Sequence, residues 1–333
     1  ASPQFSPAFF EAGGSLRSTP ATRNRLFHQP PQAPASGGPR AEKSRRLRLG
    51  VKRAKSIFLA IVLLSASTAI EAADRPEPLK LAVIAPVLEW DDVPEIERLT
   101  DWMQGHYNLK VTWIQPEHPP QTDDKEVQKA YHRNPPPVKG LEKALDADVV
   151  YTAITHVHLN KADTLTYFKL LMTKPIVAGK RAHHGLNISM DKNQELPDEI
   201  LAGLGEVKVE KPQTRWAMAV FGCVMGGHHG GKVNIAEGQA NHPIIQGLDE
   251  LWQHRMTKRG YKYKQMAPDV KVLIESEGMP QIWVRDAQPD VDRRLVYVGY
   301  DPEDFDKHEA LRRLMARAVF WAAGKDHRAH EDG

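Results

Sequence analysis

Two short stretches hold the residue types on which chemistry can be built. Gly226-Gly227-His228-His229-Gly230-Gly231 sets two adjacent imidazoles between paired glycines. Residues without a Cβ let the main chain take φ > 0 and approach a ligand closely, and imidazole serves as metal ligand or proton carrier near neutral pH. The bland alternative is a glycine-rich surface turn with solvated histidines. The second stretch, Lys180-Arg181-Ala182-His183-His184-Gly185, follows directly on the apolar run Ile176-Val177-Ala178. Donors and bases bunched at a turn after a buried strand point to a functional site, with a solvated basic loop as the competing account. His156 and His158 alternate at another strand end, and His242 precedes Pro243 at a turn. Cys223 is the single cysteine, so an intrachain disulfide, a cysteine zinc site and an iron–sulfur cluster are all ruled out.

The elements that must position these residues are legible as periodicities. Leu79 to Ala85 is a short β-branched apolar run stopped by Pro86, and Asp92 to Tyr107 places Val93, Ile96, Leu99, Trp102 and Met103 at helical spacing. Leu109 to Ile114 alternates as a strand, and Gln115 to Val138, loaded with Pro, Asp and His, reads as a long loop. A short helix at Leu141 to Leu145, a strand at Asp148 to Ile154, a helix at Asp163 to Met172 and a strand at Lys174 to Gly179 complete a β-α alternation. Such alternation predicts a parallel sheet with helices on both faces, whose ligands bind beyond the carboxyl ends of the strands. After a polar excursion from Asp191 to Thr214, strands are expected at Lys232 to Glu237, Asp269 to Glu275, Gln281 to Arg285 and Arg293 to Tyr300. The close succession of the last three suggests hairpins. An amphipathic helix from His308 to Ala323, ended by Gly324, closes the fold.

Charge and composition narrow the function. The 333 residues are 41% hydrophobic and 26% charged, enough for a sizeable core. Residues 1 to 73 hold eleven Lys/Arg against Glu11, Glu42 and Glu71, a net of +8 within a whole-chain +3, which leaves the remainder at −5. An acidic body without a basic stripe argues against a nucleic-acid partner. Residues 1 to 50, rich in Pro, Ser, Ala and Arg, read as disorder or as a leader placed ahead of the true start, with Val51 as an alternative initiator. Residues 51 to 73 then show a signal-peptide pattern: Lys52-Arg53-Ala54-Lys55, the apolar run Ile57 to Leu64, and Ala72-Ala73. That run is too short to span a bilayer, so the expectation is export to the periplasm or exterior without a stable membrane anchor. Residues 326 to 333 read as a polar tail.

Three blocks give the body, residues 79 to 325, a resemblance to a known family. They are TKPIVAGKRAHHG (Thr173 to Gly185), VFGCVMGGHHGGK (Val220 to Lys232), and a series running from NHPIIQGL (Asn241 to Leu248) through GYKYK (Gly260 to Lys264) and QIWVRD (Gln281 to Asp286) to RRLVYVGYDPEDF (Arg293 to Phe305). Their order and spacing resemble the ThuA-like, or trehalose-utilisation, family. The resemblance implies a single α/β domain of flavodoxin-like, class I glutamine amidotransferase-like type: a three-layer sandwich with a mostly parallel sheet and extra C-terminal strands. The departures are informative. An amidotransferase needs a thiolate nucleophile on the turn after its strand. The matching position is Lys180, so glutamine hydrolysis is excluded. The family's serine before histidine becomes His183, leaving His184 on the matched histidine, and Tyr300-Asp301-Pro302 stands where many relatives have Gly-His-Pro.

What the resemblance implies for chemistry is carbohydrate metabolism, with a small-molecule carbohydrate as partner and keto-sugar glycosides as a possible substrate class. His184, His229, Lys180, Arg181 and Asp301 form the expected catalytic group. His184, His228, His229 and Asp301 together would offer ligands to a divalent cation such as zinc or manganese. In that reading a cation polarises a ketone, a histidine removes the adjacent proton, and the glycosidic bond leaves by elimination before hydration. His183, Gly227, Tyr263, Trp283 and Tyr300 are the expected substrate contacts. Tyr263 and Trp283 offer rings for a sugar face or, alternatively, ordinary core packing. The competing function is a non-catalytic carbohydrate-binding or scaffold module, which the Asp301 departure permits.

Overall fold

Strand β1 (Leu79–Ile84) has side chains buried on both faces, which places it inside a sheet covered from two sides. It pairs in parallel with β2 (Leu109–Ile114) on one flank and β3 (Val149–Thr152) on the other. The computed structural model describes residues 76–85, 93–117, 122–154, 159–180, 182, 198–203, 208–209, 214–229, 231–248, 260–286 and 293–331. The leader and signal-peptide segments, residues 1–73, lie outside that set, as do Arg181, His183 and His184 and the pair His156 and His158.

Beyond β3 the sheet continues in parallel through β4 (Ile176–Ala178) and β10 (Leu295–Val298). It then turns antiparallel through β9 (Met279–Arg285), β8 (Lys271–Ser276) and β6 (Val233–Ile235), giving the order β2-β1-β3-β4-β10-β9-β8-β6. The β8–β9 pair is a hairpin closed by Glu277-Gly278. Both residues have positive φ, 48° and 78°, as a two-residue turn matching the strand twist requires.

Helices cover both faces. Leu81, Val83, Val177, Val296 and Val298 point to one layer, where α1 (Val93–His106) supplies Leu99 and Met103 and α7 (Glu309–Ala322) supplies Leu311, Leu314, Met315 and Val319. Ala82, Ile84, Val150, Ile176, Leu295 and Tyr297 point to the other, against Tyr167, Phe168 and Leu171 of α3 (Lys161–Thr173) and Trp216 and Phe221 of α5 (Arg215–Phe221). At roughly 1.5–3 kcal/mol for each fully buried large aliphatic or aromatic side chain, these two cores dominate the stability of the body. The sheet, its mixed direction and the helices on both faces make this an α/β three-layer sandwich, as the motifs led one to expect.

Several expectations change on contact with the fold. The loop read from Gln115 to Val138 contains α2 (Lys125–Arg133), held by Asp124, whose carboxylate accepts from Glu126 N–H at 2.8 Å and Val127 N–H at 3.4 Å. Its apolar set is short, Val127, Ala130 and Tyr131, and Val127 is 42% exposed, so the segment lacks the long apolar stripe of a core helix. The glycine–histidine stretch runs as strand as far as His229: Cys223–His229 is strand β5, paired antiparallel with β7 (Gly260–Met266) as a separate two-stranded sheet. Register irregularities at Val224/Met225 and Met225/Gly227, with Gly227 at φ 147°, let a glycine-rich segment extend. The polar excursion includes a short helix, α4 (Asp198–Gly203). The expected tail folds back as well: Glu331 bridges to Tyr107, and the carbonyl of buried His330 accepts from Asn108 N–H at 2.7 Å.

Candidate functional site

Neighbouring strands β4 and β10 run parallel, so their carboxyl ends emerge side by side. After β4 the chain turns at once: Gly179 N–H donates to Thr152 O at 2.9 Å, and Ala182 N–H closes the turn on Gly179 O at 3.0 Å. A Cβ at residue 179 would stand 3.1 Å from the Tyr151 hydroxyl, so glycine is what lets Lys180 leave the strand against that ring. After β10, Gly299 N–H donates to Gln281 O at 2.8 Å, and a Cβ there would meet the same oxygen at 2.5 Å. That close approach holds Tyr300 and Asp301 at the sheet edge, where Pro302 begins α6 (Pro302–Lys307).

The two turns meet in an ion pair. Lys180 Nζ donates to Asp301 Oδ2 at 2.5 Å, and the two side chains are only 3% and 2% exposed. Asp301 occupies the N-cap position of α6, yet its side chain makes no capping bond. An aspartate there ordinarily accepts from backbone N–H groups of the first turn, and here the Oδ2 atom is turned to the lysine instead. Beneath the ammonium lies the buried ring of Tyr261, its centroid 5.9 Å from Nζ. Tyr261 stands on β7 directly opposite His228 of β5, and Gly260 stands opposite His229. Through this one ring the histidine-bearing strand becomes a neighbour of the lysine turn.

The remaining expected site residues divide. Lys180 and Asp301 come together, and Gly227 lies in β5 at the strand irregularity. The backbone of His228 and His229 is placed by β5, while their side chains fall outside the described set, as do Arg181, His183 and His184. Trp283 is fully buried, stacks on Tyr297 at 3.9 Å and 7°, and donates its Nε1–H to Phe221 O at 2.9 Å. With its ring face and its donor both used internally, Trp283 packs the core and presents no platform to a sugar. Tyr263 meets Trp283 edge-on at 5.1 Å and is partly buried, and burial raises its phenol well above the usual range. Tyr300 is buried, and burial together with the Asp304 carboxylate raises its phenol too. Tyr261 is the residue that sequence reasoning passed over. Its signal was the Tyr-Lys-Tyr-Lys alternation after Gly260, which puts Tyr261 and Tyr263 on one face of a strand.

Two chemistries can be judged on this geometry. Cys223 is wholly buried, and burial pushes its thiol far up, so no thiolate is presented. A nucleophilic route through cysteine is therefore closed, as the lysine at the turn already implied. Among the described residues no group of three or more His, Cys, Asp or Glu is placed to hold a metal ion. Of the expected zinc or manganese ligands only Asp301 has a described side chain, and an ammonium already stands at its Oδ2. A cation against the same oxygen would be repelled by that charge. Among the described residues no helix is long and apolar enough to cross a membrane.

The class defined by this fold and site is an α/β three-layer domain whose β4 and β10 turns are joined by a buried lysine–aspartate pair. No family model matches the chain, and no curated protein matches it. Among solved structures it is similar to a ThuA-like protein of Bacteroides uniformis at 16% identity, with 76% of this chain and 94% of the other covered and a TM-score of 0.45. It is similar also to a ThuA-like protein of Parabacteroides merdae, at 12% identity over 75% and 92% of the two chains with a TM-score of 0.43. A third likeness is to the glutaminase domain of Trypanosoma brucei CTPS, at 8% identity over 76% and 100% with a TM-score of 0.34. Identities this low transfer no side-chain role from those proteins to this one.

Proposed function

We propose that this chain is an exported, ThuA-like carbohydrate-binding or scaffold domain in which the Lys180–Asp301 pair closes the position that a nucleophile would occupy. The single observation that carries this reading is the burial of both partners: a lysine and an aspartate 3% and 2% exposed, bonded at 2.5 Å, offer no free base or nucleophile to a ligand. Export is supported by the basic and apolar segment of residues 51 to 73. The carbohydrate is supported by the motif resemblance of the body. In this role the pair and the Tyr261 ring hold the carboxyl edge of β4 and β10 rigid, and sugar hydroxyls would be met by the turns above it. The purified full chain, titrated calorimetrically with a disaccharide and its 3-keto form, is expected to show saturable heat, no change after dialysis against a chelator, and no released monosaccharide. Release of monosaccharide that the chelator abolishes would overturn it.

That overturning outcome is the second reading: metal-assisted cleavage of keto-sugar glycosides by His184, His228 and His229. It is favoured by one observation, the register that sets His228 opposite Tyr261 and so beside the Lys180 turn. Elemental analysis of the purified protein separates the two, since a bound equivalent of zinc or manganese supports cleavage and its lack supports binding.

A further inference from the structure

The amino edge of the sheet, opposite the Lys180–Asp301 turn, carries a cleft of about 610 Å³, within the range of small-molecule sites. Arg294 reaches it from just before β10, Arg317 and Trp321 from the last turns of α7, and Lys325, His327 and Arg328 from the segment that follows. Asp326 is the one carboxylate in the lining, and it is consumed by Arg328, which meets it with Nε at 3.1 Å and Nη2 at 2.9 Å. His327 lies 3.7 Å from Asp326 Oδ1 and 3.8 Å from Glu331 Oε1, whereas Arg294 and Arg317 are held by neutral groups. Arg294 Nη1 donates to Trp321 O at 3.0 Å, and Arg317 Nη1 donates to Gln246 O at 2.6 Å. Neither guanidinium, nor the exposed Lys325 ammonium, has a carboxylate within salt-bridge distance among the described residues. The Arg294 guanidinium lies over the Trp321 ring at 5.1 Å, which fixes its plane. Burial lowers the pKa of Arg317, and nearby Arg313 and Arg328 lower it further, whereas Tyr107 and Glu331 oppose the shift.

We propose that this cleft binds a small phosphomonoester dianion, its phosphate held between Arg294, Arg317 and Lys325 and its organic part lying toward Pro243 and Trp321. The chemistry favours phosphate over a monocarboxylate. Two oriented guanidiniums leave several N–H donors unspent, a lysine adds a mobile charge, and a tetrahedral dianion has oxygens enough to meet all three. One role of these arginines is already accounted for, since each ties a loop or helix carbonyl in place. That role uses a single donor per guanidinium and does not explain why three cations converge on a concavity with no free carboxylate.

The test uses the full chain in low-salt buffer, titrated calorimetrically with inorganic phosphate and with glucose 6-phosphate, glucose itself serving as the uncharged control. Saturable binding of either phosphate compound, with glucose inert at this cleft, supports the site, and tighter binding of the ester identifies the organic ligand. Arg317→Gln with Lys325→Gln is expected to weaken that binding at least tenfold. Lys325→Gln alone, at an exposed position that cannot disturb the fold, is expected to weaken it severalfold. Undetectable binding of both phosphates up to millimolar concentrations would overturn the proposal, as would affinity unaltered in the double variant or saturation seen only with polyanions such as DNA or anionic vesicles. Lys325→Gln is expected to leave any heat seen with the uncharged disaccharide unchanged, which keeps failure here distinct from failure at the opposite edge.

Discussion

Replacing Lys180 by methionine keeps an unbranched side chain one atom shorter and removes its charge, leaving the Asp301 carboxylate facing an apolar thioether inside the protein. Both partners are almost wholly shielded, at 3% and 2% exposure, so water cannot take over the role of the ammonium without opening the turn. Breaking a buried pair by deleting one partner costs about 3–5 kcal/mol, most of it the penalty for the charge left behind. In a body of this size each kcal/mol moves the melting temperature by roughly 2–4 °C, so a fall of about 6–20 °C is expected. Urea denaturation followed by tryptophan fluorescence gives the free energy directly, and unchanged slope would show that only stability has altered. The informative comparison is the double variant Lys180→Met with Asp301→Asn, which removes the stranded charge as well. It should recover at least half of the loss, since neutral replacement of a buried pair is often tolerated. A single variant within about 1 kcal/mol of wild type would refute the reasoning, because the pair would then be solvated in solution. A double variant as unstable as the single one would refute it too, by locating the damage in packing rather than charge.

Three further outcomes follow from particular atoms. Gly299→Ala puts a Cβ 2.5 Å from the Gln281 carbonyl oxygen, a backbone atom that cannot swing aside, and should cost about 1–3 kcal/mol in thermal or urea unfolding. Half-buried His242 has its pKa lowered to about 4 by burial and by Lys271, and its Nδ1 accepts the Ile244 N–H at 3.3 Å. The folded state therefore prefers the neutral ring, and the contribution is complete above the ordinary imidazole value of about 6.5 and lost as pH falls towards 4. His242→Gln should flatten the stability profile across that window by about 1–2 kcal/mol, allowing for solvent screening; a profile of unchanged slope would exclude His242 as its source. Cys223, buried and with its thiol pushed up by that burial, should resist iodoacetamide in the native protein and react once urea unfolds it, as mass spectrometry would report. Rapid labelling of the folded chain would contradict that burial.

Periodicity and composition by themselves determined most of the architecture, for a physical reason: a buried element must advertise its buried face. The apolar runs at β1, β3, β4 and β10 and the helical stripes of α1, α3 and α7 are visible because each packs against the sheet or forms it. Helix α2 carries only a short, largely exposed apolar set and rests on the Asp124 cap, so its sequence resembles a loop. The pair of glycines before His228 looked like a turn because glycine signals conformational freedom without saying how it is used. Pairing with β7, which begins 37 residues after Cys223, makes that segment a strand. The chemistry divides in the same way. A lysine directly after the apolar run was readable at residue 180 from the sequence alone. That its charge would be met by Asp301, 121 residues away, and floored by Tyr261 depended on β4 lying next to β10 and on β7 passing beneath. Trp283 shows the converse, since an aromatic on a strand suits a ligand face or a core equally well until Tyr297 and the Phe221 carbonyl are seen to fill its surroundings. Local sequence sets what each segment prefers, and long-range pairing decides which side chains meet and what charge each one faces.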